Sequence, residues 1–324
     1  MSRTEFAIVG AGALGSILAA HLVRSGRSVV LLARGARAKQ VQEQGLRIKG
    51  LSEISTPVDV LTDPAQLREA GTLIIATKTP GSEQTMDSLR HVSVARALSI
   101  QNGVMKDELL SQTFGRERTL GALADTSGEL LASGDVLFTR NVNLFVGELD
   151  GAMTDAARGI VKAIDDAGIR ATLVTDIVSR EWSKFVCWVG FVSLSLTTRA
   201  KTGLFVSDPD SALLMVRLTR EAASIANALG IPLTEDRALL PIKTVLGASE
   251  ADAVEAVRKV GAEYQSNVPE HRMSSLQDLL GGRALEIHET LGYAVRKARE
   301  LNLSLPLLSN FYALVSAIDR TRGR

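Results

Sequence analysis

Gly10, Gly12 and Gly15 stand in the spacing G-x-G-x-x-G, directly after a short apolar run, Phe6–Val9, and at the start of a helix-like stretch, Leu14–Ser25. The first glycine permits a tight strand-to-helix turn and the second lets the backbone approach a pyrophosphate. The third lets the helix pack closely on the strand, and the helix N-terminus attracts the phosphate charge. Gly10, Ala11, Gly12, Ala13, Leu14 and Gly15 are therefore the expected cofactor loop; a glycine-rich turn with no ligand is the alternative. The choice between NAD and NADP is read about 20 residues further on, where an acid holds the ribose 2′-hydroxyl in an NAD site. Here the chain reads Leu32-Ala33-Arg34-Gly35-Ala36-Arg37-Ala38-Lys39, without a carboxylate. A guanidinium pairs bidentately with phosphate oxygens. Arg34, with Arg37 as second candidate, thus points to a 2′-phosphate and NADP(H), against the plainer reading of a solvated basic loop.

Two further features follow apolar runs, at the strand ends where ligands bind in such sheets. Lys78 comes after Ile74-Ile75-Ala76-Thr77, and Gln101-Asn102-Gly103 after Leu98-Ser99-Ile100. Either alone is an ordinary turn; with the glycine loop they form a candidate cofactor and substrate rim. Further along, Lys184 lies early in the most apolar helical stretch of the chain, in Glu181-Trp182-Ser183-Lys184-Phe185. Lysine is seldom buried without a partner or a function, although one at a helix end is common. Ser274-Ser275-Leu276-Gln277-Asp278 then precedes Glu286, and the two serines are also plausible N-caps.

These residues need a scaffold, and the patterning supplies one. Phe6–Val9, Val29–Leu32, Leu73–Ala76 and Ala97–Ile100 are short, nearly all-apolar runs separated by helix-like segments. That is the signature of a parallel sheet covered on both faces. Val136–Thr139 and Asn143–Val146 read as an added hairpin, followed by a helix over Met153–Ala167 and a last strand at Ala171–Val174. From Ile177 the period changes to helical. Helices are predicted over Ile177–Leu196, Pro209–Leu229, Ala251–Gln265, Leu276–Leu280, Ala284–Leu301 and Leu307–Arg320, with Gly230-Ile231-Pro232 and Asn302–Pro306 as turns. The expected fold is an α/β Rossmann domain over residues 1–175, doubly wound with a mainly parallel sheet, followed by an all-α domain over residues 176–324 that carries substrate and catalysis.

Composition narrows the partners. Lys and Arg (37) nearly balance Asp and Glu (36), and no basic block is interleaved with aromatics, which argues against nucleic acid. No run reaches the roughly 18 uninterrupted apolar residues of a membrane helix, and Phe6–Val9 is too short for a signal-peptide core. With a single cysteine, Cys187, there is no internal disulfide, and a cytoplasmic protein is expected. The four histidines show no metal-ligand spacing, so no metal is expected. The apolar helices of the second half could pack within the monomer or form a homodimer interface.

Taken together, Gly10-x-Gly12-x-x-Gly15, Lys78, Gln101-Asn102-Gly103, Trp182-x-Lys184 and Ser275-Leu276-Gln277-Asp278 followed by Glu286 resemble the ketopantoate reductase (2-dehydropantoate 2-reductase) family in order and spacing, over nearly the whole chain. The resemblance implies NADPH-dependent reduction of a 2-oxo acid to a 2-hydroxy acid in a cleft between the domains, as in pantothenate biosynthesis. It makes Lys184 the catalytic lysine, which polarises the ketone and protonates the developing alkoxide. Glu286 becomes the acid that orients the lysine and binds substrate. Ser274, or the adjacent Ser275, contacts substrate, Asn102 serves cofactor and substrate, Lys78 lies near the cofactor, and Arg34 takes the 2′-phosphate.

One departure stands out. Where the family usually carries asparagines four and eight residues after the lysine, this chain has Trp188 and Val192. A site that loses the partners of a substrate hydroxyl loses discrimination for it, so a more apolar or differently shaped 2-oxo acid is expected, with Trp188 and Val192 among the substrate contacts. A local slip that lets Ser193 and Ser195 restore polar contacts is the alternative. Other two-domain dehydrogenases of β-hydroxyacid or opine type, and a non-catalytic NADP(H)-binding or sensing protein, remain the competing functions.

Overall fold

The computed structural model describes residues 4–236 and 238–322, so both ends of the expected domain spans lie outside the described residues. In chain order the first part runs β1 (Phe6–Val9), α1 (Ala13–Arg24), β2 (Val29–Leu32), α2 (Gly35–Gln44), β3 (Leu46–Gly50), β4 (Ile54–Thr56), β5 (Asp59–Leu61) and β6 (Glu69–Ile75). It continues through α3 (Ser82–Leu89), β7 (Ser93–Ser99), α4 (Met105–Phe114), β8 (Thr119–Leu130), β9 (Val136–Glu148), α5 (Asp155–Asp166) and β10 (Ala171–Leu173). The strands make one sheet in the order β4-β3-β9-β8-β7-β6-β1-β2-β5, with β10 also paired to β9. From β5 to β8 every pairing is parallel.

The all-apolar strands are explained by what covers them. Phe6 and Ile8 of β1 join a core that includes Ile17, Leu18 and Leu22 of α1 and Ile164 of α5. Ala7 and Val9, on the opposite face, join a second core with Met86 and Leu89 of α3 and Leu110 and Phe114 of α4. Side chains alternate along a strand, so a strand with helices on both faces must be apolar throughout. The chain leaves β1 toward β2 on one side and later returns to β6 on the other. That reversal opens a crevice at the carboxyl end of β1, where ligands bind in sheets of this kind.

One expectation is corrected here. Val136–Thr139 and Asn143–Val146 are not two arms of a hairpin but parts of the single strand β9, whose antiparallel partner is β8. Register shifts between Asp125 and Thr126 and between Ser127 and Gly128 break the alternation that a sequence reading relies on.

The described residues fall into two compact units, one ending at Ile177 and the other built from Val178 onward together with Gly103–Met105. The second unit is helical: α6 (Ile177–Thr198), α7 (Thr202–Ser207), α8 (Pro209–Ala228), α9 (Ile242–Gly247), α10 (Glu250–Asn267), α11 (Ser274–Leu280), α12 (Leu291–Glu300) and α13 (Pro306–Thr321). Helix α6 crosses α8 at close range, because a Cβ on Gly190 would meet the Met215 sulfur at 2.4 Å. The carboxylate of Glu221 in α8 accepts the N–H groups of Leu307 (3.0 Å) and Leu308 (2.8 Å), closing the first turn of α13. The predicted helix over Ala284–Leu301 is shortened: residues 286–290 form turns, the Thr290 hydroxyl donates to the Glu286 carbonyl, and α12 begins only at Leu291. Among the described residues no helix is long and apolar enough to cross a membrane.

Candidate functional site

The glycine loop is built by exclusion. Gly10 has φ +109°, a conformation that L side chains rarely adopt, and a Cβ there would lie 2.9 Å from the Thr77 amide nitrogen. A Cβ on Gly15 would fall 2.0 Å from the Gly10 carbonyl oxygen and 3.1 Å from the Ala76 Cβ. Both positions therefore need glycine for the backbone itself to close. At Gly12, the residue preceding α1, a Cβ meets nothing within 4 Å. The middle glycine is thus not required by the protein's own packing, and the space beside it suits an incoming group.

That space belongs to a cavity of about 310 Å³, lined among others by Gly12, Arg34, Thr62, Thr77, Ser88 and Leu130. Its size is at the lower end of small-molecule sites. Helices α1 and α2 both start beside it, each without a side-chain cap and without an acid in the first turn. Three other helices, α5, α8 and α10, are capped by side chains: Thr154 accepts from the Ala157 N–H at 3.1 Å, Asp208 from the Ser211 N–H at 2.8 Å and Ser249 from the Asp252 N–H at 3.2 Å. Helix starts without acids, open backbone at Gly12 and an exposed Arg34 at the end of β2 fit a dinucleotide carrying several phosphates. Arg37, the second candidate for the 2′-phosphate, is instead turned onto the protein and donates to the Ala11 and Gly134 carbonyls and the Ser16 hydroxyl.

Sequence reasoning gave Gln101 only a place in a motif, and the structure gives it a task. It is 7% exposed, and its amide nitrogen donates to Thr77 Oγ1 (3.1 Å), the Lys78 carbonyl (3.2 Å) and Ser82 Oγ (2.9 Å), while its carbonyl accepts from Ser99 Oγ (3.0 Å). Gln101 thereby ties the end of β7 to the turn after β6. Lys78 is exposed on that turn, and the half-buried Asn102 follows at once. Thr62 and Thr85 also line the cavity and carried no sequence signal, being isolated hydroxyls.

In the second unit Lys184, Trp188, Val192 and Ser195 lie on one face of α6, since steps of four, four and three residues stay within a sector of about 80°. Only Lys184 is half-exposed; Trp188 is 6% exposed, Val192 1% and Ser195 0%. The Ser195 and Ser275 hydroxyls share a hydrogen bond of 3.0 Å, which sets this face against α11. Ser275 is thus engaged in the core, while Ser274 is exposed on the first turn of α11; neither is the N-cap, which is Met273. Ser193 lies half a turn round from Lys184, buried on the opposite side, so it restores no polar contact to this face. Asp278 accepts from Arg283 Nε at 2.7 Å and so anchors the turn that leads to Glu286, itself 7% exposed. Cys187 is sealed inside α6, and burial pushes its thiol up to about 12, which rules out a thiolate at neutral pH. Among the described residues no cluster of His, Cys, Asp and Glu could hold a metal ion.

Two family models match the chain: ketopantoate reductase PanE/ApbA over residues 6–151, and the C-terminal part of the same family over residues 176–319. The chain belongs to the ketopantoate reductase family. A relative from Archaeoglobus fulgidus, a 2-dehydropantoate 2-reductase, is 28% identical over 312 residues, covering 96% of this chain and 97% of its own. A PanE/ApbA family ketopantoate reductase from Ralstonia eutropha JMP134 has the same fold, with a TM-score of 0.83, 22% identity and coverage of 99% of this chain and 100% of that one. D-mandelate dehydrogenase with NADH also shares it, with a TM-score of 0.82, 18% identity and coverage of 98% and 99%. This family member is an oxidoreductase, of a family that reduces 2-oxo acids with a nicotinamide cofactor.

Proposed function

We propose that this ketopantoate reductase family member is an NADPH-dependent reductase of a 2-oxo acid bearing an apolar side group. The observation that carries the reading is the α6 face on which Lys184 is half-exposed and Trp188 and Val192 follow as buried apolar side chains. When bound, the nicotinamide cofactor supplies the hydride that goes to the carbonyl carbon. Lys184, as an ammonium, donates a hydrogen bond to the carbonyl oxygen, stabilises the negative charge that develops there, and gives up a proton to complete the 2-hydroxy acid. Solvent then restores the proton on Lys184. Glu286 orients the ammonium and, with Ser274 and Asn102, holds the substrate.

The apolar preference rests on what is missing. An isopropyl group offers no partner to a substrate hydroxyl and an indole offers a single donor and no acceptor, where two amides would offer both, and burying a hydroxyl short of partners costs free energy. The fold itself tolerates such substrates, for it also serves D-mandelate dehydrogenase, named for an aryl 2-hydroxy acid. Oxidation of NADPH and NADH across a panel of 2-oxo acids, ketopantoate included, tests the proposal. The expected result is faster turnover of apolar 2-oxo acids than of ketopantoate, with NADPH preferred. Equal or better turnover of ketopantoate overturns the substrate reading, and binding of NADPH without oxidation by any acid leaves a sensor rather than a reductase.

Cofactor choice is assigned to Arg34, exposed where β2 ends beside the cavity. Hydrogen bonds to a charged group contribute about 1.5–3 kcal/mol, and exposure places Arg34 at the lower end. Arg34→Ala is expected to raise the Kd for NADPH about 10-fold and to leave the Kd for NADH nearly unchanged. Titration of the purified variant with both nucleotides checks this.

A further inference from the structure

Arg37 sits three residues after Arg34 on α2, yet its guanidinium is spent in a different way. Its Nε donates to the Ala11 carbonyl at 2.9 Å, Nη2 to Ser16 Oγ at 2.9 Å, and Nη1 to the Gly134 carbonyl at 2.8 Å and to Gln40 Oε1 at 2.9 Å. Four hydrogen bonds occupy four of the five N–H donors of the group. Ser16 Oγ in turn donates to the same Ala11 carbonyl at 3.1 Å. One peptide oxygen of the glycine loop is therefore held by two donors at once.

The consequence lies across that peptide bond. In a planar trans peptide the C=O of Ala11 and the N–H of Gly12 point in opposite directions. Pinning the carbonyl onto Arg37 and Ser16 fixes the direction of the Gly12 N–H, at the residue whose Cβ position is open. A peptide flipped the other way would present a partial negative charge to a phosphate in place of a donor.

The other end of the guanidinium reaches the tip of the β8–β9 hairpin. There Gln40 Nε2 donates to the Ser133 carbonyl at 2.8 Å, and a Cβ on Gly134 (φ +83°) would collide with that same nitrogen at 1.4 Å. Asp135 at the tip is paired with Arg47 at 2.5 Å and Lys49 at 2.8 Å, both on β3. Leu130, just before the tip, lines the cavity. Arg37 is thus the strut between the glycine loop and a hairpin that contributes to the cavity wall.

We propose that Arg37 is a positioning residue for the pyrophosphate: it presents the Gly12 N–H to the dinucleotide and does not read the 2′-phosphate. The proposal rests on the dinucleotide reading above and makes a different demand of it. A residue that sets the pyrophosphate loop acts equally on NADPH and NADH, whereas a 2′-phosphate ligand acts on NADPH alone.

Calorimetric titration of the full-length wild type, Arg37→Gln, Arg37→Lys and Ser16→Ala with NADPH, NADH (by displacement) and adenosine 2′-monophosphate distinguishes these roles. Thermal melts identify the variants that fold. The Arg37 variants are expected to bind both dinucleotides about 10-fold more weakly, the worth of roughly one lost hydrogen bond to a charged ligand. Their NADPH-to-NADH ratio and their affinity for adenosine 2′-monophosphate, which lacks the pyrophosphate, stay as in the wild type. In the assay the loss enters through KM for NADPH rather than kcat. Lysine rescues only in part, since a single ammonium cannot span acceptors arranged for a planar fork. Ser16→Ala gives the same pattern more weakly and decides the matter if the Arg37 variants do not fold. A loss confined to NADPH, a parallel loss for adenosine 2′-monophosphate, or unchanged binding of all three overturns the proposal. A wild type that binds neither dinucleotide overturns the dinucleotide reading first, and the role of Arg37 with it.

Discussion

Lys184→Ala is expected to lower turnover at least about 100-fold, the low end of what a positioned general acid contributes, while leaving NADPH affinity close to that of the wild type. The asymmetry follows from placement. Lys184 belongs to α6 in the helical unit, whereas the glycine loop, Arg34 and the cavity belong to the unit containing the sheet. Its half-exposed side chain starts a face whose next positions are buried, so truncation removes an ammonium without opening a large void. Single-turnover oxidation of NADPH with the best 2-oxo acid measures the chemical step, and calorimetry measures cofactor binding separately. Activity that survives the substitution removes Lys184 from the mechanism.

Gly15→Ala is the second large effect. The added methyl would sit 2.0 Å from the Gly10 carbonyl oxygen, a backbone atom that cannot rotate away. Either α1 retreats from the loop or the loop deforms, and strain of this kind costs typically 1–3 kcal/mol or more. The expected outcome is a clearly lower melting temperature together with a dinucleotide affinity reduced by more than about 10-fold. Gly12→Ala provides the control in the same loop. Its methyl meets no protein atom within 4 Å, so the melting temperature is expected to hold while cofactor binding weakens. Melting curves and titrations on the two variants separate the glycine the fold requires from the glycine the ligand requires.

How far the sequence could carry this depended on whether a feature was local. The apolar runs of β1, β2, β6 and β7 announced a sheet covered on both faces because each strand carries its own evidence. The short strands β3, β4 and β5 did not, since three to five residues with polar members look like loop. The hairpin was misplaced because Arg140-Asn141-Val142 interrupts the alternation of β9, and its partner strand, rich in Gly, Ser and Asp, does not resemble a strand. At the site, the glycine spacing is local and was legible. The different placement of Arg34, exposed, and Arg37, turned onto the protein, was not, because Arg37 is claimed by Gly134, 97 residues away. Glu286 was visible as a residue but not as part of a turn, since that turn depends on the hydroxyl of Thr290 reaching back to its carbonyl. The separate placements of Ser274 and Ser275 likewise required sight of Ser195 on another helix.

The two ends of the sheet have a bearing on how this chain behaves before it is fully folded and when it is crowded. A wide, largely parallel sheet assembles from distant segments and is slow to complete, which leaves unpaired edges available to other chains for longer. Here the strands that end the sheet, β4 and β5, and the side strand β10 are each only three residues long. Edges that short present too few free N–H and C=O groups to template a foreign strand. Those ends accordingly offer little purchase for edge-to-edge aggregation, despite an interior built from strands that in isolation would be among the stickiest segments of the chain.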